Sequence, residues 1–305
     1  MTWSRRTFLR RAGGAVFAPS LLGLAACNDV PTAPAGNGTG TGRNPAGPGG
    51  YGPLAPSADC PELLAPEGFR LVRISEVTKP SRADSAFVVP QALDGMAAFP
   101  LAGGLVGLVR NHEIRDPPDL ASPFGPNPYD AHASGGTTSL RVRPHRDGEG
   151  RVAELELIAE HPSLTGTHGN CAGGPSTWGS WLSCEEGTEE GDGRERPHGY
   201  VFDVPLAATE PVEPVPLRAL GRFVHEAVAV DPGTGFVYLT EDRTYDPDTG
   251  LGAGFYRFLP EPGSGPGEWS DPSAGRLQAL AVRERGGYAT ATGQVPGEAT
   301  PIGNK

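Results

Sequence analysis

After about residue 62, the sequence alternates short apolar runs with turn residues, and this rhythm constrains the fold more than any other feature. The runs are rich in Val, Leu, Phe and Tyr and are bounded by Gly, Pro, Asp and Asn, which is typical of strands joined by turns. No segment after the N-terminal region keeps a helical period over three turns. The expected strands are Phe69–Ser75, Leu105–Asn111, Thr138–Val142, Ala153–Ala159, Trp178–Cys184, Tyr200–Val204, Ala227–Val230, Phe236–Thr240 and Phe255–Leu259.

This pattern predicts an all-β fold, and in particular one that is β-propeller-like. Residues 224–240 read as an apolar strand, the turn Asp231-Pro-Gly-Thr-Gly235 and a second strand, which is typical of the inner strands of a propeller blade. The expected strands suffice for about two to three blades of four strands, whereas a propeller usually has at least about four blades. We therefore expect an incomplete propeller, in which either the loops hide further strands or the chain is a fragment of a larger protein.

The N-terminal segment carries the pattern of an export signal. Residues 4–10 read Ser-Arg-Arg-Thr-Phe-Leu-Arg, a close match to the twin-arginine pattern, and the mildly apolar residues 12–26 follow. That stretch is too short and too glycine-rich for a good membrane-spanning helix, and a basic amphipathic helix is the alternative. We expect residues 1–27 to be a signal peptide that the twin-arginine translocase recognises.

The end of this signal resembles a bacterial lipobox. Leu24-Ala-Ala-Cys27 predicts lipidation of Cys27, and cleavage near these alanines without a lipid is the alternative. Residues 28–57 are rich in Pro and Gly, which is typical of a disordered linker, and residues 58–305 are the expected propeller domain. The protein is therefore expected to be exported to the periplasm or cell surface, with membrane contact only through a lipid anchor.

The formal net charge of −11 bears on the partners of the protein. A nucleic-acid binder neutralises phosphates with clustered Lys and Arg, so this charge argues against nucleic acid as a partner. A carboxylate-rich pocket would also repel a small phosphorylated molecule unless bound cations reversed the local field.

Cysteine usage leaves an odd count if Cys27 is lipidated, because Cys60, Cys171 and Cys184 then remain. In an oxidising compartment, a disulfide between Cys60 and Cys184, with Cys171 kept as a metal ligand, is one consistent arrangement.

Residues 168–186 concentrate the groups that could carry chemistry, since they combine a His, two Cys, two Trp and two adjacent Glu. Cys171 offers a thiolate, which suits a transition metal, and Glu186 offers a carboxylate, which suits calcium or iron. Gly173-Gly174-Pro175 is expected to form the turn between them. A packed hairpin with a structural Cys171 is the alternative.

Further candidate ligands lie where other predicted strands begin or end. His225-Glu226 and Glu241-Asp242-Arg243 flank the predicted hairpin, so the two charged clusters should lie near each other. Solvent-facing strand ends, or an ion pair of Arg243 with Asp242, are the alternative. Besides Cys171, Glu186 and Glu226, the candidates are Asn111, His112, Glu113, Glu185, Glu241, Asp242 and Arg243. The sequence has no G-x-S-x-G, P-loop or Rossmann motif, so nothing supports a side-chain nucleophile.

Several of these segments together resemble the PhoX family of bacterial alkaline phosphatases. The resemblance covers roughly residues 62–260, and the most specific part of it is the pattern N-C-A-G-G…W-G-x-W-L-x-C-E-E of residues 170–186. The other matching segments are Pro66-Glu-Gly-Phe69, Asp94-Gly-Met96, Asn111-His-Glu113, His198-Gly-Tyr-Val-Phe-Asp203, Gly221-Arg-Phe-Val-His-Glu226, Val237-Tyr-Leu-Thr-Glu-Asp-Arg243 and Gly254-Phe-Tyr-Arg-Phe258.

The resemblance implies a β-propeller fold, twin-arginine export and hydrolysis of small phosphomonoesters at a cluster of iron and calcium ions. It implies that Cys171 and Glu226 bind iron and that Glu186 binds calcium. The other candidate ligands lie in motifs of the same family without an assigned role. Members of the family carry a later Arg-Pro-Glu-Gly type motif, which this sequence lacks. We therefore expect a C-terminally truncated chain, and the alternative to an active phosphatase is a surface propeller that binds ligand without turnover.

Overall fold

The computed structural model describes residues 54–66, 68–248, 252–261 and 275–280. The signal peptide, Cys27, most of the linker and residues 281–305 lie outside these ranges, so their predictions remain predictions. Within the described ranges, no helix combines the length and the apolar character that a membrane crossing requires.

The first four-stranded sheet is an antiparallel meander in which each strand pairs with the next. It consists of β3 (Leu93–Pro100), β4 (Val106–His112), β5 (Gly135–Arg146) and β6 (Val152–Thr167). Before it in the chain, β1 (Leu54–Pro56) and β2 (Leu64–Pro66) form a separate antiparallel pair.

Two further meanders follow along the chain. The second sheet has three strands, β7 (Asn170–Pro175), β8 (Ser180–Glu185) and β9 (Val201–Pro205). The third has four, β10 (His225–Val230), β11 (Val237–Glu241), β12 (Phe255–Pro260) and β13 (Gly275–Ala279). Short 3₁₀ turns at Ala102–Gly104 and Arg218–Leu220 complete the regular structure of the described residues.

The first strands of the three meanders lie side by side, with β7 between β3 and β10. A Cβ atom on Gly95 of β3 would lie 2.7 Å from the Cα atom of Ala172 in β7. A Cβ atom on Gly174 of β7 would lie 1.9 Å from the carbonyl oxygen of Val228 in β10. Only glycine permits such close approach of backbones. In consecutive propeller blades, the first strands of neighbouring meanders lie side by side in the same way.

The hydrophobic core lies between neighbouring sheets. Leu182 of β8 and Val201 of β9 pack in one buried cluster with Leu239 and Tyr256 of the third sheet. A second cluster joins Val109 of the first sheet to residues of the second sheet. The second sheet therefore packs with apolar side chains on both faces, which explains the apolar runs of β8 and β9.

The all-β prediction is confirmed, and most expected strands lie within or near observed ones. The prediction for Phe69–Ser75 is wrong, because that segment has no strand pairing. The expected turn at Gly173-Gly174-Pro175 is also wrong, since these residues belong to β7 and the turn lies at residues 176–179. Gly173 and Gly174 allow β7 to lie close to its neighbouring strands, and they do not form a turn.

The Cys60–Cys184 disulfide is not present, because both residues are buried free thiols. Cys184 is fully buried in the core cluster between the second and third sheets. The thiol of Cys60 is instead directed at the carbonyl oxygen of Leu71, at 3.9 Å. Their different surroundings leave each thiol as a small apolar core residue.

Candidate metal centre

The inner strand of each sheet contains a β-bulge, and each bulge carries a candidate ligand. Asp94 lies in the bulge of β3, Cys171 in that of β7 and Glu226 in that of β10. A bulge places two residues opposite one on the partner strand and so redirects a side chain that regular pairing would orient otherwise. The three side chains thereby turn towards the region where the inner strands meet.

A second position is also repeated, directly after the second strand of each sheet. Glu113, Glu186 and Asp242 follow β4, β8 and β11, and each donates its backbone N–H to a carbonyl at the start of the inner strand. The acceptors are the carbonyl oxygens of Ala92 at 2.8 Å, Gly169 at 2.9 Å and Val224 at 3.1 Å. In all three sheets, therefore, an acidic residue directly follows the second strand. We call these positions, Glu113, Glu186 and Asp242, the corners.

The bulges and corners bring five ligand-bearing residues into two groups that share one thiol. Asp94, Glu113 and Cys171 have ligand atoms within 4.8 Å of one another, and so do Cys171, Glu186 and Glu226. The Sγ atom of Cys171 lies 3.5 Å from Oε2 of Glu226. The structure thus brings together four of the candidates from the sequence, Cys171, Glu186, Glu226 and Glu113, and adds Asp94.

Arg115, which lies just after β4, contacts this acidic cluster. The Nη2 atom of Arg115 donates to Oε1 of Glu113 at 2.8 Å and also contacts Oε2 of Glu186. One guanidinium beside four carboxyl groups leaves the region acidic, and this crowding favours carboxyl groups that keep their protons.

The crowding of carboxyl groups raises the pKa values of two of them. Burial, together with a hydrogen bond and negative charge from Glu113, raises the pKa of Asp94 to about 6. Burial and a hydrogen bond with Glu226 raise the pKa of Glu186 to about 8, although Arg115 opposes the shift. Carboxyl groups that share protons in this way are ready to exchange them for a cation.

Burial, followed by the negative charges of Glu186 and Glu226, raises the pKa of the Cys171 thiol well above its usual value. A nucleophilic cysteine needs the opposite shift, so Cys171 does not fit that role. A thiol that is surrounded by carboxylates, by contrast, fits metal binding, because a bound cation stabilises the thiolate. The donor set combines a soft sulfur with hard oxygens, which suits a transition metal beside a hard cation.

Two residues of the Asn111-His112-Glu113 motif are structural. Asn111 is fully buried, and its Nδ2 atom donates to the carbonyl oxygens of Cys171 and Ala172 at 2.9 and 2.7 Å. His112 contacts the carbonyl of Gln91 and the hydroxyl of Thr138, both at 2.9 Å. Burial lowers the pKa of His112 to about 4, so it stays neutral. The side chains of both residues are occupied by protein contacts, and only Glu113 belongs to a candidate ligand group.

Glu185 is turned away from the cluster into a buried polar network. Its Oε1 atom accepts from the backbone of His168 at 2.8 Å and contacts Nδ1 of His198 at 2.7 Å. Its Oε2 atom accepts from the backbone N–H groups of Gly199 and Tyr200 at 2.8 and 3.1 Å. These contacts saturate the carboxylate, so the adjacent Glu186 is the ligand candidate of the pair.

The Glu241-Asp242-Arg243 cluster does not join the two ligand groups. His225 pairs with Glu241 across the hairpin, which confirms that the two clusters are close in register. The Oε2 atom of Glu241 is nevertheless held by the backbone of Gly254 and the hydroxyl of Tyr256, at 2.9 and 2.8 Å. Asp242 and Arg243 are exposed.

The sequence prediction missed Asp94 and Arg115 as members of this site. Asp94 had a signal, because Asp94-Gly-Met96 matches the resembled family, but the bulge that directs its side chain inwards has no signature of its own. Arg115 follows the Asn-His-Glu motif by two residues, and only the folded structure shows that it reaches Glu186, which lies far away in the sequence.

Comparison with protein families matches residues 49–298 to the family described as alkaline phosphatase PhoX. The chain belongs to the PhoX family. Among solved structures, the chain is similar to Pseudomonas fluorescens PhoX in complex with vanadate, a transition state analogue, with a TM-score of 0.42 and 15% identity. That match covers 70% of this chain and 52% of the other, so the chain spans about half the length of that protein. No curated protein matches the sequence.

Membership of the PhoX family confirms the resemblance that the motifs of residues 111–113, 170–186, 221–226 and 237–243 suggested. All of these motifs fall inside the matched range. Three of them supply residues of the two ligand groups, and the fourth supplies the corner residue Asp242.

Proposed function

We propose that this PhoX family member is an exported, metal-dependent phosphatase that hydrolyses small phosphomonoesters. The observation that carries the proposal is the pair of ligand groups that share Cys171, in a chain whose family consists of alkaline phosphatases. A reaction at such a centre needs no side-chain nucleophile, in agreement with the raised pKa of the Cys171 thiol.

The donor atoms suit the proposed iron and calcium ions. Cys171 and Glu226 would hold iron through sulfur and oxygen, and Glu186 would hold calcium together with the neighbouring carboxylates. When bound, such ions supply positive charge for the phosphate oxygens and an activated oxygen nucleophile.

The side chains of this protein would bind the ions and hold the ligand residues in position. The carboxylates of Asp94, Glu113, Glu186 and Glu226 would hold the ions, and the positive charge of the ions would let an anionic substrate approach a protein of net charge −11. Asn111 holds the backbone of the Cys171 bulge in place through two hydrogen bonds. In the overall reaction a water oxygen bonds to phosphorus, the ester P–O bond breaks, and the leaving alcohol takes a proton.

Export forms the second part of the proposal. The Ser-Arg-Arg-Thr-Phe-Leu-Arg segment supports recognition by the twin-arginine translocase, and Leu24-Ala-Ala-Cys27 supports a lipid anchor in the periplasm or on the cell surface. Twin-arginine export suits a metalloprotein, because the chain can fold and bind its ions before it crosses the membrane.

The test compares the wild-type chain with Cys171→Ser and with Cys60→Ser as a matched control at a buried thiol outside the site. We expect the wild type to contain iron and to release phosphate from 4-nitrophenyl phosphate in the presence of calcium. Cys171→Ser should lose iron and at least about a hundredfold in kcat, because a hydroxyl is a poor ligand for iron. Cys60→Ser should keep both.

Wild-type protein that binds iron and calcium but hydrolyses no monoester would contradict the proposal. Tight binding of vanadate without turnover would then favour the alternative, a surface propeller that binds phosphate-like ligands.

A further inference from the structure

Arg115 is placed to act on whatever binds at the candidate metal centre. Its exposed side chain donates from Nε and Nη2 to Oε1 of Glu113, at 3.0 and 2.8 Å, and contacts Glu186. Among the described residues, no other lysine or arginine forms an ion pair with Asp94, Glu113 or Glu186. Arg115 is thus the cation that the chain itself brings to this end of the cluster.

The guanidinium of Arg115 packs against a glycine. It lies against the backbone of Gly169, where a Cβ atom would be 3.0 Å from Cζ and 3.1 Å from Nη1 of Arg115. Gly169 joins two corners of the site, since it donates to the carbonyl of Ile114 at 3.1 Å and accepts from the N–H of Glu186 at 2.9 Å. The missing side chain at Gly169 therefore makes room for a flat guanidinium between the first and second sheets.

Part of the guanidinium remains available for a ligand. Nε and Nη2 face the carboxylates, whereas none of the described residues accepts a hydrogen bond from Nη1. Since the side chain is 40% exposed, a molecule that arrives from solvent can reach this edge. An arginine edge with free N–H groups matches the oxygens of a phosphate group.

Bound cations would change the hydrogen-bond partners of Arg115. Divalent or trivalent cations on Glu113 and Glu186 weaken the attraction of these carboxylates for the guanidinium, and the same cations attract an anion to the site. The arginine can then donate to that anion.

We propose that Arg115 forms a phosphate-binding subsite at the centre, in which its guanidinium donates to the oxygens of the phosphoryl group of the substrate and of inorganic phosphate. The inference rests on the proposed phosphatase function, which it deepens by assigning a binding residue outside the motifs of the resemblance. Lysine should replace Arg115 only in part, because its point charge lacks the planar fork of donors.

The test uses the full chain with Arg115→Gln, Arg115→Lys and, as a control, Arg143→Gln, which breaks an exposed ion pair with Glu156 on another sheet surface. Calorimetry measures the affinity for calcium and then the affinity of the calcium-loaded protein for inorganic phosphate and vanadate. Steady-state kinetics on 4-nitrophenyl phosphate separate KM from kcat.

In Arg115→Gln we expect phosphate affinity to fall roughly ten- to hundredfold, as for loss of a charge-assisted hydrogen bond. Calcium affinity should stay the same or rise, because the variant lacks a positive charge that repels the ion. Arg115→Lys should fall between the wild type and Arg115→Gln, and Arg143→Gln should match the wild type.

Unchanged phosphate affinity in Arg115→Gln would overturn the subsite. So would a parallel loss of calcium affinity, since it would show that Arg115 merely arranges the carboxylates. Wild-type protein that loads metal and binds phosphate without turnover would refute the phosphatase and leave the subsite standing, whereas wild-type protein that binds no phosphate would refute both.

Discussion

At the scale of single residues, Asn111 shows how an amide can position a candidate metal ligand through hydrogen bonds to its backbone. Its two N–H groups hold the carbonyls of Cys171 and Ala172, while its oxygen accepts from Trp181 and Ser183, both at 2.9 Å. One buried side chain thus joins β4 to the bulge of β7 and to β8.

Asn111→Ala should lower the free energy of unfolding by about 1 to 3 kcal/mol, because it leaves buried polar groups without partners. It should also reduce iron affinity, since the bulge that presents Cys171 loses its support. Chemical denaturation and metal analysis measure the two effects. Trp181→Phe removes one donor to the Asn111 oxygen and part of a buried core side chain, so it should lower stability but keep its iron. Iron affinity that survives intact in Asn111→Ala would show that the bulge holds its shape unaided.

The sequence did not predict the separate roles of the three residues in the Asn111-His112-Glu113 motif. Asn111, His112 and Glu113 are all capable ligands by type, and the motif marks the segment as important. Burial and the contacts of the folded protein separate Asn111 and His112, both fully buried, from Glu113. Such contacts come from distant segments, so the sequence alone could not assign the roles.

At the scale of elements, the bulges and the glycines of the inner strands work together. The bulges turn Asp94, Cys171 and Glu226 inwards, and the glycines let the strands approach closely enough for the three side chains to meet. Hydrophobic patterning predicted most of the outer strands, because these carry regular apolar runs, but it missed β13. Among the inner strands it missed β3 and β7, whose glycines and bulges break the pattern.

Gly95→Ala tests the contact between β3 and β7. Its Cβ atom would meet backbone atoms, the Cα of Ala172 at 2.7 Å and the carbonyl oxygen of Cys171 at 2.9 Å, so the strands must separate. We expect destabilisation of about 1 to 3 kcal/mol and weaker metal binding. Gly148→Ala is the control, since a Cβ atom there meets nothing within 4 Å. Thermal unfolding and calcium titration provide the readouts, and equal behaviour of the two variants would contradict the close contact.

At the scale of the whole molecule, the candidate centre takes its ligands from three successive sheets. Ions bound there would add a further connection between sheets that already meet through apolar packing, backbone contact and the hydrogen bonds of Asn111. Binding should therefore stabilise the fold, because the ions bind the folded chain far better than the unfolded one.

This stabilisation should depend on pH in a known direction. The raised pKa values, about 6 for Asp94 and about 8 for Glu186, mean that a cation must displace protons below those values. Each displaced proton changes the free energy of binding by about 1.4 kcal/mol per pH unit. The difference between the unfolding temperatures with calcium and with chelator should thus be small near pH 5 and grow up to about pH 8.

Glu186→Gln provides the matched comparison for this pH profile. It should lose the upper part of the rise, between about pH 6 and pH 8, and keep the lower part that belongs to Asp94. A calcium effect that is independent of pH in the wild type would show that these carboxyl groups do not bind the ion.

Fold class and family were predictable at this scale, because they depend on repeated patterns and on a long specific motif. The sharing of Cys171 by two ligand groups was not, since it depends on how three sheets pack. The predicted disulfide failed for the same reason, because cysteine counts carry no information on which thiols end up in the core.

The contact of Gly174 with the carbonyl oxygen of Val228 has a consequence for how such a chain can vary. An acidic ligand can be exchanged for another acid, or for an amide, and leave the backbone where it is. No exchange is open at Gly174, because even the smallest side chain would place its first carbon 1.9 Å from an oxygen of the next sheet. In a saturation mutagenesis library selected for phosphate release, the most intolerant positions should include this chemically inert glycine as well as the proposed metal ligands.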